Sequence, residues 1–97
     1  MLVTLYTQPL CPFCDLMKSM LDEAGIKYKV TDIKSSKTAL EFIRNEGHRT
    51  VPQLYLGEVH LNKKPDTRDY TPNELYNIVN AARSEAWNWQ DSGIENF

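Results

Sequence analysis

The apolar positions of this chain change period several times, and each change marks an element. Residues 1 to 6 alternate apolar and polar with β-branched content before Pro9 and Pro12 interrupt, which predicts a strand and then a loop. From there the apolar residues fall at Phe13, Leu16, Met17, Met20, Leu21 and Ala24, the spacing of one helical face, and Gly25 supplies the stop. Pro12 suits the first helical position, where its missing N–H would have had no intrahelical partner. Tyr28, Val30 and Ile33 between polar residues predict a second strand, and Ser35-Ser36 caps a helix that turns Leu40 and Ile43 inward and ends at Gly47. Val51 to Leu56 is a third strand, Gly57-Glu58 turns, and Val59 to Asn62 returns as a fourth. Residues 63 to 70 are a polar loop. Thr71-Pro72-Asn73-Glu74 then combines a capping box with proline at the first position of a last helix carrying Leu75, Ile78, Val79, Ala82 and Ala86 on one face.

The order strand, helix, strand, helix, hairpin, helix predicts an α/β domain. A helix between the first two strands implies parallel pairing, and the hairpin adds antiparallel strands, giving a mixed four-stranded sheet with three helices on its faces. One domain over residues 1–90 is expected, with residues 91–97, which have no period, as a mobile tail. Trp87 and Trp89 stand out in a polar segment, either packed back on the fold or exposed as a docking surface.

Composition narrows the functions. With 97 residues and a net charge of -2, the chain has no general attraction for nucleic acid or anionic lipid. No stretch approaches the ~20 apolar residues of a membrane span, and the start lacks a basic leader, so a cytoplasmic monomer is expected. Two cysteines, Cys11 and Cys14, are present, and so short a loop restrains little unfolded-chain entropy. Structural zinc would need a second pair; the remaining candidates, His48 and His60, read as surface or hairpin residues, and no metal is expected.

Redox chemistry accounts for the pair better. Cys11 falls at the N-cap of the first helix, where unpaired N–H groups and the positive end of the macrodipole favour a negative sulfur. Cysteines of C-x-x-C motifs so placed have pKa values of roughly 3.5 to 7.5, so much of Cys11 is expected to be thiolate at neutral pH. Cys14, one turn on and facing inward, is then the resolving thiol: Cys11 attacks a disulfide and Cys14 attacks the resulting mixed disulfide. Pro12 limits loop motion, and Phe13 shields the site with an apolar ring.

Tyr6-Thr7-Gln8-Pro9-Leu10-Cys11-Pro12-Phe13-Cys14, then Gly47-His48-Arg49-Thr50-Val51-Pro52-Gln53, and the βα order around them make the chain similar to the glutaredoxins, a branch of the thioredoxin-fold family. The resemblance covers about residues 1 to 80. It implies a thioredoxin-like fold (βαβαββα), a cis Val51-Pro52 bond facing the cysteines, and glutathione as co-substrate. It also implies glutathione contacts from Gln8, Pro12, Phe13, Thr50, Val51, Pro52, Lys63, Lys64 and Asp66. Two positions depart from the family pattern. Gln8 stands where members commonly carry lysine, and Lys63-Lys64-Pro65 replaces a Gly-Gly stretch whose backbone amides bind the γ-glutamyl carboxylate; Pro65 has no N–H to give. Asp66 matches the acid that meets the glutamyl ammonium.

The expected function is therefore glutathione-dependent reduction of protein disulfides and glutathione mixed disulfides. One alternative is a redoxin recharged by a flavoprotein reductase; ribonucleotide reductase is a client expected by analogy for either. An iron-sulfur cluster carrier and a non-enzymatic adaptor docking through the tryptophans are the others.

Overall fold

A computed structural model describes residues 2–95, with side chains over 2–85. Four strands, β1 (Val3–Thr7), β2 (Tyr28–Asp32), β3 (Gln53–Leu56) and β4 (Val59–His60), form one mixed sheet in the order β2-β1-β3-β4. β1 runs parallel to β2 and antiparallel to β3, with Leu5 opposite both Val30 and Leu54. β3 and β4 form the hairpin. The helices are α1 (Pro12–Glu23), α2 (Lys37–Asn45) and α3 (Pro72–Glu95), and a 3-10 turn (Thr67–Asp69) leads into α3. The expected α/β architecture, a thioredoxin-like βαβαββα fold, is the one present.

The period of two sorts the sheet's side chains. Val3, Leu5, Leu54 and Leu56 point to one face and join Met17, Met20 and Leu21 of α1 and Leu75 and Val79 of α3 in the main core. Tyr6 and Tyr55 point to the other face, where Phe42 of α2 stacks on Tyr6 at 5.5 Å and meets Tyr55 edge-on at 5.1 Å. Covered on both faces, β3 is buried at every residue.

Capping follows the sequence closely. The Ser36 hydroxyl accepts the N–H of Ala39 at 3.2 Å, and the Thr71 hydroxyl accepts that of Glu74 at 3.1 Å. Both α1 and α2 end in glycine at positive φ, Gly25 at 72° and Gly47 at 86°, followed by a paired 6→1 bond: Ile26 N–H to Leu21 carbonyl and His48 N–H to Ile43 carbonyl, each 3.0 Å. A Cβ at either glycine would be strained by that φ alone.

Three features differ from what period and spacing predict. Phe13 and Leu16 share the spacing of α1's apolar face but are 43% and 36% exposed, and the buried face of the helix is Cys14, Met17, Met20 and Leu21. β4 is two residues long; beyond it the Leu61 N–H still donates to the Leu54 carbonyl at 2.8 Å, and the Asn62 side chain then replaces backbone pairing, its amide oxygen accepting the Leu54 N–H at 2.8 Å and its amide nitrogen donating to the Pro52 carbonyl at 3.0 Å. Only half of the capping box forms, because the Glu74 carboxylate turns to Lys64 Nζ at 2.6 Å. α3 is helical as far as Glu95. The side chains of Trp87 and Trp89 lie outside the described residues. No helix is long and apolar enough to cross a membrane among the described residues.

Candidate active site

The loop after β1 delivers Cys11 to the start of α1. Leu10, fully exposed, takes a left-handed φ of 57°, an arrangement that costs a non-glycine residue about 1–2 kcal/mol. Cys11 then adopts an extended N-cap conformation, and Pro12 occupies the first helical position. The Cys14 N–H donates to Cys11 Sγ at 3.1 Å, so a helix amide that would otherwise lack an acceptor is aimed at the sulfur. Cys11 and Cys14 are joined in a disulfide, their Cα atoms 5.2 Å apart. Cys14 is 1% exposed, whereas Cys11 is only half-buried, so Cys11 presents the sulfur that an incoming thiol can reach.

Facing it is the turn before β3. The Val51–Pro52 peptide is cis, and the Val51 carbonyl oxygen lies 3.9 Å from Cys11 Sγ. Phe13, Thr50, Val51, Pro52, Pro65, Asp66, Thr67 and Arg68 line a groove of about 310 Å³. The structure thus gathers Phe13, Thr50, Val51, Pro52 and Asp66 around one opening. Gln8 and Pro12 sit in the preceding loop and helix start, outside that lining, and Lys63 and Lys64 line a neighbouring cleft.

Arg68 is the groove residue that the sequence reading missed. Its guanidinium grips both Asp66 oxygens, at 3.1 and 2.8 Å, and lies over the Phe13 ring at 5.4 Å from the centroid. Asp66 also caps the 3-10 turn by accepting the Arg68 N–H at 2.9 Å. The side-chain and backbone donors of Arg68 together hold the Asp66 carboxyl below its usual pKa. Asp66-Thr67-Arg68 after a proline is a capping signature that could have suggested this pairing. Lys64 is likewise engaged: besides Glu74 it donates to the Asp69 carbonyl at 3.2 Å and lies 4.9 Å over the Tyr70 ring, and the Glu74 bond holds its pKa up.

The two histidines are structural neighbours of β3, away from the cysteines. Gln53 donates its amide N–H to the Thr50 carbonyl at 3.0 Å, which turns its oxygen toward His60 Nε2 at 2.8 Å; that nitrogen therefore carries the proton. His48 Nε2 stands 2.6 Å from the Tyr55 hydroxyl, whose pKa is pushed up to about 12 mainly by burial, so the hydroxyl keeps its proton to donate. Burial, then His48 and Lys63, push the His60 pKa down. With the folded-state pKa below the ordinary ~6.5, the unfolded chain binds the proton more readily, so stability falls as pH drops below about 6.5. The unfolding midpoint is expected to decrease from about pH 7 to about pH 5, and His60→Gln to flatten that decrease; an equal decrease in the variant would contradict the assignment.

A redox-active cysteine pair opening the first helix of this sheet defines a thiol-disulfide oxidoreductase of thioredoxin-like fold. The glutaredoxin family model matches residues 3–61, and the chain belongs to the glutaredoxin family. A glutaredoxin of Neisseria meningitidis (serogroup A, serotype 4A) is 37% identical over 62 residues, covering 61% of this chain and 72% of the relative. The Escherichia coli glutaredoxin-like protein NrdH-redoxin, described as having a thioredoxin-like activity profile, superposes with a TM-score of 0.58 at 25% identity over 62% of this chain and 79% of that one. A buckwheat glutaredoxin solved as a complex with glutathione shares the fold with a TM-score of 0.51 at 23% identity, covering 61% of this chain and 57% of that one. The matched family region ends before the Lys63–Asp66 loop.

Proposed function

We propose that the protein, acting in the cytoplasm, carries electrons from glutathione to protein disulfides and glutathione mixed disulfides, with Cys11 as nucleophile and Cys14 as resolving thiol. The Cys11 thiolate attacks one sulfur of a substrate disulfide, forming a mixed disulfide and releasing the other sulfur as thiolate, which takes up a proton. Cys14, as thiolate, attacks Cys11 Sγ; the substrate's second thiol leaves and the Cys11–Cys14 disulfide forms. One glutathione thiolate then attacks Cys11, freeing Cys14, and a second attacks the glutathione sulfur, leaving oxidised glutathione and reduced protein. The observation that carries this reading is the half-exposed Cys11 sulfur, under the Cys14 N–H and beside the carbonyl of Val51, a residue that lines the groove.

In this reading an extended tripeptide thiol pairs with the Val51 backbone, among the groove residues Phe13, Thr50, Pro52 and Asp66. Lys63 and Lys64 line the neighbouring cleft, which shares Thr50, Pro52 and Pro65 with the groove. Arg68 competes for Asp66. Arg68→Gln is expected to release the carboxylate for the glutamyl ammonium and to tighten glutathione binding about two- to fivefold, the scale of one exposed ion pair. Exchange of glutathione mixed disulfide on Cys14→Ser protein measures this, and weaker binding in the variant would show that Arg68 itself holds the tripeptide.

The Asp66–Arg68 ion pair favours one second reading, a redoxin recharged by a flavoprotein reductase, because Asp66 is already committed to Arg68. Turnover of one protein disulfide with glutathione and glutathione reductase, against turnover with thioredoxin reductase, separates the two. Faster turnover with glutathione is expected; the reverse would replace the first reading with the second.

A further inference from the structure

A second cleft, of about 440 Å³, lies across the Thr50–Pro52 turn from the active-site groove. Thr50, Pro52 and Pro65 line both, so the two openings share a wall. The cleft is lined by three cations, Arg49, Lys63 and Lys64, and by no carboxylate. Lys64 is neutralised from behind by Glu74, whereas Arg49 and Lys63 make no ion pair among the described residues. Glu46, the acid that acts on His60 and Tyr55, stands outside the lining. In a chain of net charge -2 this is a local reversal of sign. Positive charge concentrated in a concavity attracts anions more strongly than the same charges on an open surface.

Distance ties the cleft to the reaction. Val51 O is 3.9 Å from Cys11 Sγ, and Arg49 lies two residues before Val51. An extended peptide rising ~3.3 Å per residue, with its cysteine at Cys11, reaches Arg49 within about three residues of that cysteine. Resting on the protein-disulfide activity proposed above, we infer that this cleft docks an acidic segment of a disulfide-bearing client protein, and that the protein selects disulfides with aspartate or glutamate close to the attacked cysteine. Arg49 is the specificity-determining residue, and Lys63 adds to the field.

The test compares kcat/KM of the full chain on two disulfide-bonded peptides that differ only in flanking residues, Asp/Glu in one and Asn/Gln in the other, with a glutathione mixed disulfide as a third substrate. At low salt the acidic peptide is expected to react about fivefold faster, an advantage lost at high ionic strength. Arg49→Gln lowers that preference about threefold, the effect of one exposed charge pair, while the other two substrates keep their rates; Arg49→Glu reverses it. Equal rates on both peptides in the wild type, an undiminished preference in Arg49→Gln, or a parallel loss on the glutathione substrate would overturn the inference. Failure on both peptides, with the glutathione substrate still turned over, would instead overturn the protein-disulfide reading beneath it.

Discussion

Replacing Cys11 by serine is expected to lower kcat/KM for disulfide reduction by about 10³-fold or more while leaving the fold intact. A serine hydroxyl is hardly ionised at neutral pH and is a poor nucleophile toward sulfur. Cys14 cannot substitute, because at 1% exposure it is closed off by the packing of α1 against the sheet. Stability should hold for two reasons. Serine is a favoured N-cap whose oxygen can take the Cys14 N–H now aimed at Cys11 Sγ, and the lost disulfide closes only a short loop. Turnover and a thermal melt on the same sample separate chemistry from folding. Cys14→Ser should behave differently: it keeps activity on glutathione mixed disulfides, which need only Cys11, and accumulates mixed disulfide with protein substrates.

Asn62→Ala is expected to cost about 3 kcal/mol of stability and to lower the unfolding midpoint by about 15 °C. The Asn62 amide completes the sheet where β4 stops, taking the N–H of Leu54 and giving a hydrogen to the carbonyl of Pro52. Both backbone groups are in buried residues, and alanine leaves each without a partner, at about 1–3 kcal/mol apiece. The loss should also reach the site. Pro52 forms the wall between groove and cleft, so releasing its carbonyl loosens the turn that carries Val51, and KM should rise more than kcat falls. Asn62→Asp, which keeps the acceptor but buries a carboxylate against the Pro52 carbonyl, should cost at least as much at neutral pH. Chemical denaturation checks the first effect and steady-state kinetics the second; a cost below about 0.5 kcal/mol would mean that water replaces the amide.

Features set by neighbours in sequence were readable before the structure. Pro12 at the helix start, Ser36 and Thr71 as caps, and Gly25 and Gly47 as stops all act within one turn of their own position. The cysteine pair and its N-cap setting follow from the same local rules. Harder to read was whatever depends on how far one element covers another. Phe13 and Leu16 have the periodicity of core residues, and periodicity does not show how much of a helix face its neighbours cover. The Tyr6–Phe42–Tyr55 cluster joins three elements distant in sequence, and no single window contains it. The Lys63–Arg68 stretch has no period at all. Its charges are assigned by partners up to ten residues away, Glu74 for Lys64, and by a stacking contact with Phe13 for Arg68.

The rate of alkylation of Cys11 in the reduced protein, followed from about pH 5 to about pH 9, measures the thiolate directly. If the amides opening α1 hold that sulfur ionised, Cys11 still reacts readily near pH 6, where an ordinary thiol of pKa ~8.5 is under about 1% ionised, and Cys14 stays unmodified. A Cys11 rate that rises only above about pH 8, or equal modification of both cysteines, would contradict the account.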